Sequence, residues 1–219
     1  MPLPPPSVDR TRKHVRRVEL AGFKREDGYW DIEARITDVK DHDYFLSSGL
    51  RPQGSPVHDM SVRVTIDRHM TIVAAEACSD ATPYAGYCDT IAPAYERVVG
   101  LNLFRGFRSA VKSLFGDLRG CSHLTELLMH LPTAALQTLA SEVQDNAGGD
   151  SAHKPFQLDR CHALDAHGEA VRRYYPRWYL APAASTGADP LPSSAPSSAD
   201  GPLSAGPAGN LSNPSKESE

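Results

Sequence analysis

Residues 30–37, Trp-Asp-Ile-Glu-Ala-Arg-Ile-Thr, alternate an apolar with a polar side chain at every step. Consecutive side chains on an extended chain point to opposite sides, so this pattern demands a strand with one face on a core and one in water. The preceding run "HVRRVELAGFKRE" is joined to it through Glu26-Asp27-Gly28. Asp-Gly between two such runs is a strong hairpin signal, because a tight turn needs positive φ. After a Gly/Pro-rich loop at 47–56, "SVRVTID" and "MTIVAAEAC" repeat the pattern around Asp67-Arg68-His69, with Val62, Val64 and Ile66 sharing a face. An antiparallel sheet of about four strands is expected.

The period then changes. "PAYERVVGL" and "FRGFRSAVKSLFGDL" read as short helices, and residues 122–143 set Leu124, Leu127, Leu128, Leu131, Ala135, Leu136 and Leu139 on one helical face. Pro132 is expected to break or kink that helix, since proline lacks the amide donor and clashes with the preceding turn. Further on, a short strand pair is expected around Ala166-His167-Gly168, with Tyr174, Tyr175, Trp178 and Tyr179 folding the segment back. Strands followed by helices without strict alternation predict an α+β fold, an antiparallel sheet of about four strands packed on three helices in two layers.

Composition sets the limits of that domain. The chain has 219 residues, 40% hydrophobic and 23% charged, enough for one sizeable core. Residues 1–13, with prolines at 2 and 4–6, predict an extended, disordered lead-in; residues 14–181 predict a single α+β domain. From 182 to 219 Ala, Ser, Pro and Gly dominate, which predicts a disordered tail. No apolar run approaches the roughly 20 residues that span a bilayer, and "MPLPPPSVDRTRKHVRR" lacks the apolar centre of a secretory signal, so a cytoplasmic protein is expected. A net charge of -4 argues against nucleic acid as a partner, and Arg10, Arg12, Lys13, Arg16 and Arg17 read as a solvated arm. Cys78, Cys88, Cys121 and Cys161 form no CxxC pair and are expected to be reduced. There is no Walker loop, GxGxxG, GxSxG or HExxH, so no nucleotide cofactor is expected and any chemistry must come from scattered side chains.

Cys121 leads those candidates. Placed where "GCSHLTELL" enters a helix, its thiol faces unpaired amides and the positive end of the macrodipole, which suits a nucleophile or metal ligand; alternatively Ser122 caps the helix and Cys121 packs. His123, Glu126 and His130 share a helical stripe that either converges on an ion or is solvated. Cys121 and His123 diverge on a regular helix, so both reach one centre only if Cys121 lies before the first turn. His58, a candidate general base or a structural histidine, and its neighbour Asp59 should point to opposite faces of a strand. The turn-rich "CSDATPYAGYCDTIAP" brings Asp80, Tyr84, Cys88 and Asp89 into one loop, and "LDRCHAL" adds Asp159, Cys161 and His162.

"REDGYWDIEARITDVK", "SPVHDM", "DATPY", "RVVGL", "GCSHLTELL", "TAALQT" and "YYPRWY", in this order, resemble a bacterial family catalogued as domain of unknown function 2889, often met beside genes for breaking down aromatic compounds. The family's motif residues that fall on this chain are His58, Asp59, Asp80, Tyr84, Cys88, Cys121, His123 and Glu126. The resemblance implies a lyase acting on a lignin-related phenolic. In that reading His58, Asp59, Tyr84, Cys121 and His123 are catalytic and Tyr84 and Glu126 bind substrate. Cys88, Cys121 and His123 would then hold one zinc or iron ion or supply a thiolate. The expected partner is a small aromatic molecule, with neither nucleic acid nor membrane, and a homodimer is allowed. The order of sheet, Cys88 loop, Val99-Gly100-Leu101 and Cys121 helix also resembles NifU-type iron-sulphur scaffolds, which implies the rival reading of a metal or cluster carrier. A purely structural interaction domain is the third alternative.

Overall fold

The computed structural model describes residues 2–140, 142, 154, 155 and 157–181. The expected tail at 182–219 lies outside the described residues, as does 143, where the long helix was expected to end. Residues 2–13 form no strand or helix and are exposed.

Strands β1 (His14–Lys24), β2 (Trp30–Lys40), β5 (Pro56–Ile66) and β6 (Ile72–Ala81) make one antiparallel sheet in the order β1-β2-β5-β6. The hairpin sits where Asp-Gly placed it, with Gly28 at φ 87° and the Arg25 amide donating to the Tyr29 carbonyl at 2.9 Å. Between β2 and β5 the structure adds a small ladder, β3 (Tyr44–Leu46) just ahead of the 47–56 loop paired with β4 (Gly49–Arg51) within it. It is stapled to the chain end of β6, where the Arg51 guanidinium donates to the Thr82 carbonyl at 2.6 Å.

One face of the sheet is buried row by row. Ile36 pairs with Met60, Ala34 with Val62, Ile32 with Val64 and Trp30 with Ile66, all buried. The opposite face carries charge, with Arg63 between Glu33 and Glu76, and Arg35 on Asp59.

Among the described residues three α-helices follow: α1 (Phe107–Phe115), α2 (Ser122–Leu139) and the short α3 (Glu169–Tyr174). The fold is α+β. Pro93 to Val98 of "PAYERVVGL" lie in a 3-10 stretch, Asp89–Val98, that buries Ala92, Tyr95 and Val98, and Val99 to Leu101 lie beyond its end. α2 lies on the buried face and contributes Leu124, Leu127, Leu128, Leu131, Ala135 and Leu139 to the core. Pro132 does not break it. The proline is itself buried within the helix, and leucines on both sides are anchored in the sheet, so packing overrides the lost hydrogen bond.

The late segment also departs from expectation. In place of a strand pair at 166–168 there are 3-10 turns at His162–Leu164 and Pro176–Trp178 flanking α3, in a chain of Asp, Gly and Pro punctuation that favours turns over ladders. It is held by the Leu180 amide on the Ala166 carbonyl at 2.9 Å and by burial of Leu158, Ala166 and Val171. Among the described residues no helix is long and apolar enough to cross a membrane.

Candidate functional site

The apolar stripe of the sheet ends in a polar row. One step beyond Val18, Ile36 and Met60, the register sets Arg16 opposite Asp38 and Asp38 opposite His58. The β2–β5 register shifts immediately after Asp38, a local irregularity of the kind that re-aims side chains.

Asp38 is 3% exposed, yet it is surrounded by donors. Its Oδ1 accepts from His14 Nε2 at 2.7 Å and Arg16 Nε at 2.9 Å; its Oδ2 accepts from the second arm of Arg16 at 2.8 Å and from His58 Nδ1 at 3.0 Å. His123 Nε2 stands 3.6 Å from Oδ2, too long for a formed hydrogen bond. Burial alone opposes charge on this carboxyl, but the hydrogen bonds from Arg16 and His14 and the surrounding positive charge outweigh it, so Asp38 titrates well below the usual carboxylate range.

The opposite layer closes over this row from the start of α2. Tyr95 makes that placement. Its hydroxyl accepts from the Cys121 amide at 2.9 Å and donates to the Cys121 carbonyl at 2.8 Å, its ring stacks on Phe115 at 4.3 Å, and it meets Thr125 Oγ1 at 2.8 Å. Gly120 is required beside it, because an added Cβ would lie 2.6 Å from Phe115 Cβ and 3.0 Å from the Tyr95 hydroxyl. Cys121, not Ser122, is therefore the N-cap, in extended backbone at φ -84° and ψ 130°. That is the condition under which Cys121 and His123 reach one place, and the Cys121 sulphur lies 3.9 Å from His123 Nδ1 and 3.9 Å from the Met60 sulphur. His123 also packs on His58, ring centroids 3.8 Å apart. Glu126 accepts from Arg16 at 2.7 Å, so one guanidinium ties β2 to α2.

Both imidazoles are pushed to lower pKa. For His58 the causes are burial and then the neighbouring His123, partly offset by Asp38; for His123 they are burial and then Arg16, partly offset by Asp38 and Glu126. Both are held neutral at pH 7, with lone pairs available.

Of the residues singled out in the sequence, His58, Cys121, His123 and Glu126 come together here. Asp59 points to the other face and pairs with Arg35 at 2.6 Å. Tyr84 is 45% exposed in the loop after β6, a strand that ends opposite Asp59. Cys88 caps the 3-10 stretch that carries Tyr95, and His130 is exposed. Among the described residues the metal-capable group is Asp38, His58 and His123, whose ligand atoms lie within 4.8 Å of one another; Cys88 does not belong to it.

Three members escaped the sequence reading. Asp38 continues the buried alternation Trp30, Ile32, Ala34, Ile36, and a carboxylate at a core position was the available signal. His14 and Arg16 were hidden in a basic run that looked solvated; they share a face of β1, where only tertiary pairing distinguishes them from Arg12 or Arg17. A depression of about 630 Å³ lies on the opposite, charged face around Glu19, Arg35, Ser61 and Cys78, and holds none of these residues.

Residues 14–137 match the family described as "Protein of unknown function (DUF2889)". The chain belongs to the DUF2889 family. The matched region starts at His14 and takes in Arg16, Asp38, His58, Cys121, His123 and Glu126, so the whole cluster lies within what defines a DUF2889 protein. No curated protein and no solved structure matches the chain.

Proposed function

We propose that this DUF2889 protein is an enzyme working by acid–base catalysis, a lyase on an aromatic metabolite, with His58 as the general base. One observation carries the reading: a buried carboxylate fixes His58 through Nδ1 while that imidazole is held neutral. With the ring proton on Nδ1 and donated to Asp38, Nε2 keeps its lone pair for a substrate proton. Removal of that proton drives its electron pair into a new double bond as the leaving group departs from the adjacent carbon, and the resulting imidazolium returns the proton to it. Arg16 and His14 keep Asp38 ionised throughout. Tyr84, on the loop that begins where β6 ends opposite Asp59, is the proposed holder of a phenolic oxygen, and Glu126 a contact for substrate. The aromatic substrate class rests on the family resemblance.

The rival is a metal-binding module, favoured by the ligand atoms of Asp38, His58 and His123 lying within 4.8 Å. Two features weigh against a cation there. Arg16 already places a fixed positive charge at 2.8 Å from the same carboxylate, and imidazoles with centroids 3.8 Å apart are too close to splay around one ion.

The test is turnover of a panel of lignin-related phenolics followed by mass spectrometry, with elemental analysis of untagged protein alongside. His58→Gln should lose roughly 100-fold or more in kcat while circular dichroism stays unchanged. Full activity in His58→Gln, or stoichiometric zinc or iron with no turnover, overturns the proposal.

A further inference from the structure

Within the same cluster, His123 stands between a thiol and a carboxylate. Its Nδ1 meets the Cys121 sulphur at 3.9 Å and its Nε2 faces Asp38 at 3.6 Å. The tautomer that fits has the proton on Nε2, toward the anion, and the Nδ1 lone pair toward the S–H.

The backbone adds to this. Cys121 precedes the first turn of an 18-residue helix that has no side-chain cap and no acidic residue in its first turn. The unpaired amides of that turn favour negative charge developing on an atom at the cap. The Tyr95 hydroxyl holds the Cys121 amide and carbonyl together, so the thiol's position is set by packed aromatic rings and not by a free loop. Among the described residues, Cys121 is the cysteine whose sulphur bonds an imidazole.

We propose that Cys121 is a nucleophile, with His123 as its base and Asp38 behind it, and that the site accepts an uncharged carbon electrophile conjugated to a carbonyl. This rests on the acid–base reading of the cluster and adds a covalent step to it. The thiol proton moves to His123 Nδ1 as sulphur attacks the β-carbon. A C–S bond forms, the C=C pair shifts onto the carbonyl oxygen as an enolate, and the proton on His123 passes to the α-carbon. The sum is addition of S–H across the double bond, with no net oxidation or reduction.

N-ethylmaleimide, itself a neutral conjugated carbonyl, is the probe. Limiting reagent is added to the folded full chain at pH 7, and the labelling rate of each cysteine is read by peptide mass spectrometry. Cys121 should label roughly ten-fold or more faster than Cys78 and Cys161, exposed thiols, and His123→Gln should remove that advantage. Asp38→Asn should slow Cys121 similarly, and the His123→Gln/Asp38→Asn double variant should be no slower than either, because the two act as one unit. Near-ultraviolet circular dichroism guards against misfolding; if Asp38→Asn unfolds, His123→Gln alone decides. Cys121 labelling no faster than Cys161, or equally fast in His123→Gln, overturns the nucleophile. If that happens while His58→Gln still abolishes turnover, the acid–base reading stands without the thiol. Selective labelling with a fully active His58→Gln leaves the thiol and removes the base.

Discussion

Asp38 shows how much one residue can organise. It sits where the sheet's alternation calls for an apolar side chain, and it is accommodated because His14, Arg16 and His58 satisfy both oxygens. A buried carboxylate with that many donors is costly to replace, since the partners are left facing each other. Asp38→Asn keeps the shape but loses the charge, and among the described residues Arg16 then has only Glu126 as an anion. Denaturant unfolding should show a loss of roughly 2–3 kcal/mol. Arg35→Ala, which breaks the ion pair with Asp59 on the open face, should leave the midpoint nearly unchanged. A midpoint for Asp38→Asn equal to that of Arg35→Ala would show that the cluster does not hold the two layers together.

At the scale of elements, the contact of α2 with β1 is the tightest constraint. A Cβ on Gly22 would lie 1.8 Å from Thr138 Oγ1 and 2.6 Å from Thr138 Cβ, so the helix rides on the strand only because that position is glycine. Gly22→Ala should cost roughly 1–3 kcal/mol through overpacking. Adding Thr138→Ala removes Oγ1 and Cγ2, and should recover part of the loss in a non-additive cycle. Full additivity in urea melts would mean that the helix shifts freely.

The elements also show what was legible. The four long strands and the leucine face of α2 could be read because their periods repeat over many residues, and each repeat agrees with burial. Pro132 does not end the helix because local propensity is a weak term beside a helix anchored by Leu128, Leu131 and Ala135. The 44–51 ladder and the turns around α3 are too short to print a period.

For the molecule as a whole, the site is a seam. His14, Arg16, Asp38 and His58 come from the sheet, Cys121, His123 and Glu126 from the start of α2, and each half is incomplete without the other. That explains why half the cluster was legible and half was not: "GCSHLTELL" and "SPVHDM" display reactive residues locally, whereas Asp38 and Arg16 acquire their meaning from strands paired across register. A seam of titrating groups also makes stability depend on pH. His58 and His123 have native pKa values below the roughly 6.5 of an unfolded chain, so below that pH the unfolded state binds more protons and the native state loses ground. Asp38 is depressed as well, so its contribution is present above about pH 4 and is lost as pH falls further. Urea midpoints should be level from pH 8 to 7, decline from about 6.5, and fall again under about 4. His58→Gln/His123→Gln should flatten the upper decline and leave the lower one, since Arg16 and His14 still face Asp38 and Glu126 still faces Arg16. A wild-type midpoint that stays level between pH 7 and 5 would mean that the imidazoles titrate as free ones do, which removes the neutral, carboxylate-held His58 on which the acid–base chemistry depends.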